Sequence, residues 1–344
     1  PEPADARLTP EGDSFEGKGT RPQGGRRPES GADRTGFLRE HFYQRPVIDG
    51  VEASDKFFDR AGRWLRSLTT SGGERREAEI GAELAAATVS RVNRIAVVSP
   101  KGGVGKTTCT FLLGNILASY PRLRVLALDA NRDFGTLAEL APEHSRSKLT
   151  LAHLLDQLDS VCSTSDLGKY VSRLPSGLHI LAAPRDARVM ATMEPALYGE
   201  VLEFVSIYYD VVLLDLGTGV VDPLAQFGLD RADQAVVITA PEFVTTEKVL
   251  SALRYIGDAG QWTGPDGESS ITVAVNRVPK KRAGDLQEIQ TAFRRAGAQS
   301  HVEIPQDEQL RVMMDSATYT LESLRRDTRM PIKLLGRAIT RKLV

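Results

Sequence analysis

The stretch "RIAVVSPKGGVGKTTCTFLLGNILA", residues 94–118, constrains the fold more than any other part of the chain. A β-rich run leads into a glycine-rich loop, and an apolar helical pattern follows at once. Strand, glycine loop and helix in that order bring backbone N–H groups and the positive end of a helix dipole to one point, an arrangement suited to a polyphosphate. Gly102, Gly103 and Gly105, with Val104 between them, leave room for the amides to face such a ligand. Lys106 stands where it would sit between the β- and γ-phosphates, Thr107 where its hydroxyl would coordinate Mg²⁺, and Thr108 where it would reach the α-phosphate. A second lysine, Lys101, stands at the entrance of the loop and needs a separate explanation.

The rest of the chain supplies the sheet that this unit requires. From Arg94 onward the runs "RIAVVS", "RVLALDA", "LHILAAP", "DVVLLDLG", "QAVVITA", "ITVAVN" and "HVEIP" read as strands, and several lack polar alternation, as strands buried on both faces do. Amphipathic stretches at 107–119, 195–208, 244–258 and 284–297 separate them. The pattern predicts an α/β fold with a mostly parallel central sheet flanked by helices. With 344 residues, 41% of them hydrophobic, the chain can bury a core for one domain of about 250 residues plus extensions. We expect a disordered Pro/Gly-rich tail over 1–50, a helical extension over 51–91 and the nucleotide-binding domain over 92–344.

"KGGVGKTT" resembles the deviant Walker A motif of the MinD/ParA family of dimerising ATPases, a SIMIBI-class branch of the P-loop proteins. The resemblance runs from about Arg94 to the C-terminus. It implies a role for Lys101, since in that family the extra lysine crosses the dimer interface to the phosphates of the other subunit. A cation placed where phosphate charge develops stabilises the transition state, with effects of about 10³ to 10⁵ in rate for such groups. "DVVLLDLGTG" matches the Walker B pattern, so Asp215 would hold a Mg²⁺-bound water, and Gly219 stands where the family's switch glycine senses the γ-phosphate.

The family's first switch segment usually reads aspartate, any residue, aspartate. Here Asp129 fills the first place and Asn131 the second, in "LALDANRDFGTL". An asparagine can orient the attacking water but cannot accept its proton, so slow or activator-dependent hydrolysis is expected. Asp133 is open to two readings, a substitute for the missing carboxylate or a helix cap. Asn276 in "VAVNRV" resembles the residue that reads adenine, Pro305 in "EIPQD" the loop on the other side of the base, and Glu242 in "APEFVTTEKVL" the ribose-side and interface loop. ATP rather than GTP is the expected nucleotide, because no guanine signature follows the strand.

The resemblance implies a homodimer formed on ATP, with Mg²⁺, acting as a switch in spatial organisation such as septum placement or chromosome partition. A secretion-associated ATPase and a nucleotide-dependent scaffold with negligible turnover are the alternatives. Forty-four basic against forty-five acidic residues leave a net charge of -1, so a DNA or membrane surface would have to be met by a local patch. Lys280, Lys281 and Arg282 form one such cluster, also readable as a solvated loop. The basic amphipathic stretch around Trp64 suits either a partner, a membrane or the neighbouring domain. The C-terminal stripe of Ile332, Leu335, Ile339 and Leu343, with Lys333, Arg337 and Arg341 opposite, reads as a core helix more readily than as an anchor. Two widely spaced cysteines, and the lack of a signal-like layout or a long apolar run, lead us to expect a cytoplasmic protein with an unidentified protein activator or cargo.

Overall fold

The computed structural model describes residues 72–120, 123–131, 135–258, 262, 268–279 and 287–343. The expected tail over 1–50, the stretch around Trp64, Asp133 and the 280–282 cluster lie outside these residues. A helix, α1, occupies 72–85. After it come β1 (Asn93–Ser99), α2 (Lys106–Ala118), β2 (Val125–Ala130), β3 (Val171–Arg173) and β4 (His179–Leu181), with short helical turns between β2 and β3. Then follow α3 (Pro195–Val205), β5 (Val211–Thr218), α4 (Pro223–Arg231), β6 (Gln234–Thr239), α5 (Phe243–Asp258), β7 (Ile271–Val278), α6 (Gln287–Arg295), β8 (Ser300–Pro305), α7 (Glu308–Asp315) and α8 (Arg326–Thr340).

The strands form a single eight-stranded sheet in the order β3-β4-β2-β5-β1-β6-β7-β8. Every pairing is parallel except β3 with β4. β2 and β6 are buried along their whole length, which is why their sequences are continuous apolar runs rather than alternations. Ile95 and Val97 of β1 pack with Phe111, Leu112 and Ile116 of α2 and with Ile332, Leu335 and Ile339 of α8 in one core layer. Helix and sheet approach closely here, because a Cβ on Gly114 would meet Leu178 at 2.9 Å and Leu213 at 3.2 Å. On the sheet's other side α4 lies against β1 and β5. After β2 the chain turns back to insert β5 beside β1, then moves to β1's other flank with β6. That reversal opens a crevice at the carboxyl ends of β1 and β5, where open α/β sheets bind ligands.

The C-terminal stripe is a core helix. Ile332, Leu335 and Ile339 are buried, and its basic side chains pair with carboxylates of α1. Ile80 and Leu84 of α1 join the core, while Glu77 accepts hydrogen bonds from Arg329 Nε at 2.8 Å and Lys333 Nζ at 3.0 Å. Arg326 lies 3.5 Å from the same carboxylate, and Glu83 pairs with Arg341 at 2.8 Å. Burial works to raise the Glu77 pKa, but the hydrogen bonds and charges of Arg329 and Lys333 outweigh it and hold the carboxyl below its usual value. A depressed carboxyl pKa contributes stability above about pH 4.5 that is lost as pH falls through the folded-state value. Glu77→Gln is therefore expected to lower stability at pH 7 by about 1–2 kcal/mol, with the difference from the native chain shrinking in acid. Thermal melts of both proteins from pH 7 down to pH 3 check this.

No helix among the described residues is long and apolar enough to cross a membrane.

Candidate functional site

β1 delivers the chain to the crevice at Ser99, whose hydroxyl donates to the Lys101 carbonyl at 2.6 Å and so begins a tight loop. The loop closes at Gly103 and Gly105, with φ of 77° and 90°, left-handed conformations in which a side chain would be strained. Val104 between them is buried, leaving its backbone to line the crevice. Lys106 then opens α2, followed by Thr107 and Thr108. The N-terminus of this helix has no side-chain cap, so its first amides are left to an anion.

The register of the sheet brings the acidic residues to the same place. Asp129 of β2 stands opposite Asp215 of β5, and Asp215 is in turn level with Val97 of β1. Asp215 is fully buried and saturated. It accepts from Lys106 Nζ at 2.7 Å and Thr110 Oγ1 at 2.9 Å through one oxygen, and from Thr107 Oγ1 at 2.8 Å through the other. Lys106 is itself only 7% exposed, so lysine and aspartate hold each other's charge in a low-dielectric pocket. Removing one partner of such a pair typically costs about 3–5 kcal/mol.

Asp129 accepts the backbone N–H of Leu137 at 3.0 Å and of Asn131 at 3.2 Å. Burial pushes its carboxyl up to about 7, the charge of Asp215 adds to that, and the two N–H groups pull in the other direction. Gly135 is packed against this carboxylate so closely that a Cβ there would collide with it. The Asn131 side chain reaches towards β5, since a Cβ on Gly217 would lie 3.5 Å from its Oδ1. Gly219, with φ 92°, donates its N–H to the Ser99 carbonyl at 2.9 Å and ties the end of β5 to the root of the loop.

Lys101 is held within its own chain. Its Nζ lies 2.5 Å from Glu242 Oε2 and donates to Thr245 Oγ1 at 3.3 Å. The Lys101 hydrogen bond, followed by that of Thr245, keeps the Glu242 carboxyl below the usual range. Asn276 lies two residues before the end of β7 and Pro305 ends the neighbouring β8, and the Gln306 N–H donates to Val278 O at 2.9 Å. Asn276 also donates to the Val104 carbonyl at 2.8 Å, directly across the loop. Cys109 follows on α2, but burial, reinforced by the charge of Asp215, pushes its thiol up to about 12 and leaves it inert.

Three neighbours escaped the sequence reading. Thr110 sits one helical turn after Lys106, a spacing that does mark it as a second hydroxyl facing Asp215. Gly135 and Arg277 carry no such mark, because their places depend on close packing and on a bend at the end of β7.

The residues fit a magnesium-bound nucleotide. A buried lysine, a hydroxyl and a carboxylate meet in front of a glycine loop with open space at Gly103, a donor set matched to phosphate oxygens and a hard divalent cation.

Residues 92–262 match a family model described as an AAA domain. Over 185 residues, 54% of the chain, it is 30% identical to the ESX-1 secretion-associated protein EspI of Mycobacterium tuberculosis, and the match spans 27% of that protein's length. Over 187 residues it is 28% identical to a protein named as a septum site-determining MinD in Emiliania huxleyi, spanning 62% of its length. The chain thus spans less than two thirds of either relative. Among solved structures, a ParA family ATPase from Chlorobium tepidum TLS matches with a TM-score of 0.58 at 21% identity, covering 72% of this chain and 98% of that one. MinD from Pyrococcus horikoshii OT3, complexed with Mg-ADP, matches with a TM-score of 0.55 at 20% identity, covering 71% and 94%. At these identities the two structures establish the fold.

Proposed function

The chain belongs to the MinD/ParA-like family of P-loop ATPases, and from that premise we propose that it is an ATP-dependent dimerising switch. The observation that supports this most is the second lysine at the loop entrance, Lys101, in front of the buried Lys106–Asp215–Thr107 set. In this reading Gly102, Gly103, Val104, Gly105 and Thr108 offer backbone and hydroxyl donors to the phosphates. Lys106, now paired with Asp215, would turn to a phosphate oxygen, and Thr107 and Asp215 are the residues that would hold Mg²⁺. The cation, when bound, neutralises charge on the phosphate oxygens. Asn276 and Pro305 flank the base, and Glu242 lies on the ribose side.

Two such sites facing each other repel through their phosphates unless cations lie between them. Lys101 from each subunit supplies that charge, so nucleotide becomes the adhesive of the dimer. Asp129 shapes the first switch and Asn131 orients the attacking water without taking its proton, which makes hydrolysis slow or dependent on a protein activator. The task of the switch is spatial organisation of a cargo, at a nucleoid or membrane surface or on a protein assembly. A secretion-associated role is favoured specifically by the resemblance to EspI.

Light scattering coupled to size exclusion, with parallel phosphate-release assays, tests the proposal. With Mg²⁺ and ATP the apparent mass is expected to double, and with Mg²⁺ and ADP it is expected to stay that of one chain. A mass indifferent to nucleotide would sink the switch. Doubling without phosphate release would leave a binding scaffold in its place.

A further inference from the structure

The end of β7 holds the phosphate loop from outside. Asn276 Nδ2 donates to the Val104 carbonyl at 2.8 Å, and Arg277 Nη1 donates to the neighbouring Gly103 carbonyl at 2.8 Å. Arg277 reaches the loop only because β7 leaves its ladder there. The register against β8 shifts between Val275 and Val278, and Arg277 itself adopts φ 59°, one of two non-glycine residues with positive φ among those described. A long side chain in the left-handed region is strained, and such strain persists where surrounding structure uses it. Gly105 completes the fit, since the space of its missing Cβ is taken by the Asn276 amide.

The consequence follows from peptide geometry. In a trans peptide the C=O and the next N–H point in opposite directions. Pinning the Gly103 carbonyl towards Arg277 turns the Val104 N–H the other way, and pinning the Val104 carbonyl towards Asn276 does the same for the Gly105 N–H. Two consecutive amides of the loop are thereby turned to the crevice before any anion arrives. Asn276 retains its second N–H and its Oδ1 for a base, so one side chain joins base recognition to phosphate-loop geometry.

We propose that Arg277, with Asn276, is a positioning residue that presets the phosphate loop for the polyphosphate of its ligand. The inference rests on the nucleotide-binding reading above and adds a residue which that reading does not contain. Loss of the guanidinium is expected to weaken polyphosphate affinity whether or not a base is attached.

The test is calorimetric titration of the native chain, Arg277→Gly and Arg277→Lys with inorganic tripolyphosphate and with ADP, both with Mg²⁺, alongside thermal melts. Glycine accepts φ 59° without strain, so Arg277→Gly removes the hydrogen bond while keeping the bend, and its melting temperature is expected to equal or exceed the native one. Both ligands are expected to bind it about tenfold more weakly, as befits one charge-assisted hydrogen bond, with part of the loss restored by lysine. Native affinity for tripolyphosphate in Arg277→Gly would overturn the proposal. A loss confined to ADP would also overturn it, making Arg277 a base-side contact, as would a melting temperature that falls in step with affinity. A native chain that binds neither ligand would instead overturn the nucleotide reading itself, and this inference with it.

Discussion

Lys101→Ala is expected to abolish ATP-dependent dimerisation and to lower ATP turnover by about 10³-fold or more, while nucleotide affinity and thermal stability stay near native values. The split is the informative part. In the single chain the Lys101 ammonium is paired with Glu242, but the two side chains are 37% and 60% exposed. A pair so open to water is worth at most about 1 kcal/mol, and holding it with a long lysine costs side-chain entropy. Little therefore restrains Lys101 from leaving Glu242 in the dimer proposed above, where an interface closed to water would make a cation beside phosphates count for much more. Removing the lysine accordingly costs the fold little and costs the assembled site its charge balance. Lys106→Ala behaves differently: it strips the partner from buried Asp215 and is expected to lose both nucleotide binding and stability. Titration, melting and phosphate release on the two variants separate these cases. Native turnover in Lys101→Ala would mean that Lys101 is only a solvated loop lysine with Glu242 as its partner.

Legibility of the fold in the sequence follows burial. β1, β2, β5 and β6 are buried over most of their length on both faces, so they are written as short, largely apolar runs bounded by turn residues. β3 is three residues long, antiparallel and at the sheet's edge, and "VSR" has neither the length nor the composition to announce a strand. Helices α4 and α7 are short, nine and eight residues, and neither stands out in the sequence as an amphipathic stretch. The C-terminal helix was legible as core from Ile332, Leu335 and Ile339. What its basic side pairs with was not, because Glu77 and Arg329 are 252 residues apart and nothing local pairs them.

The candidate site divides in the same manner. The glycine loop, Lys106, Thr107 and Asp215 are legible because their chemistry demands fixed spacing within one strand–loop–helix unit or at one strand end. The position of Asp129 beside Asp215 follows once both are set at the carboxyl ends of adjacent strands. Arg277 is different. Its reach to Gly103 depends on a ladder slip and a left-handed backbone, and an arginine gives no warning of either. The Lys101–Glu242 pair could not be read at all, since the sequence assigned those residues separate tasks and only the folded loop brings them together.

Asn131→Asp is expected to raise the basal rate of ATP hydrolysis by about 10²- to 10⁴-fold, the usual contribution of a positioned general base. Asn131 follows β2 directly, and its side chain lies beside Gly217, two residues past the carboxylate of Asp215. A carboxylate there would face the same crevice and could accept a proton where the amide cannot. The gain carries a structural cost. Asp129 is already pushed up to about 7 by its burial and by Asp215, and a third carboxylate adds like charge to the cluster. The substituted chain should therefore melt lower than native without ligand, and Mg²⁺ with nucleotide should restore more stability to it than to the native chain. Single-turnover phosphate release, measured with and without the substitution, gives the rate directly. A faster variant would mean that Asn131 is what keeps the native switch slow, so that in the cell an activator has to supply or reposition the missing base. An unchanged rate would move the control of hydrolysis away from the first switch and onto dimer assembly, where Lys101 would then carry it.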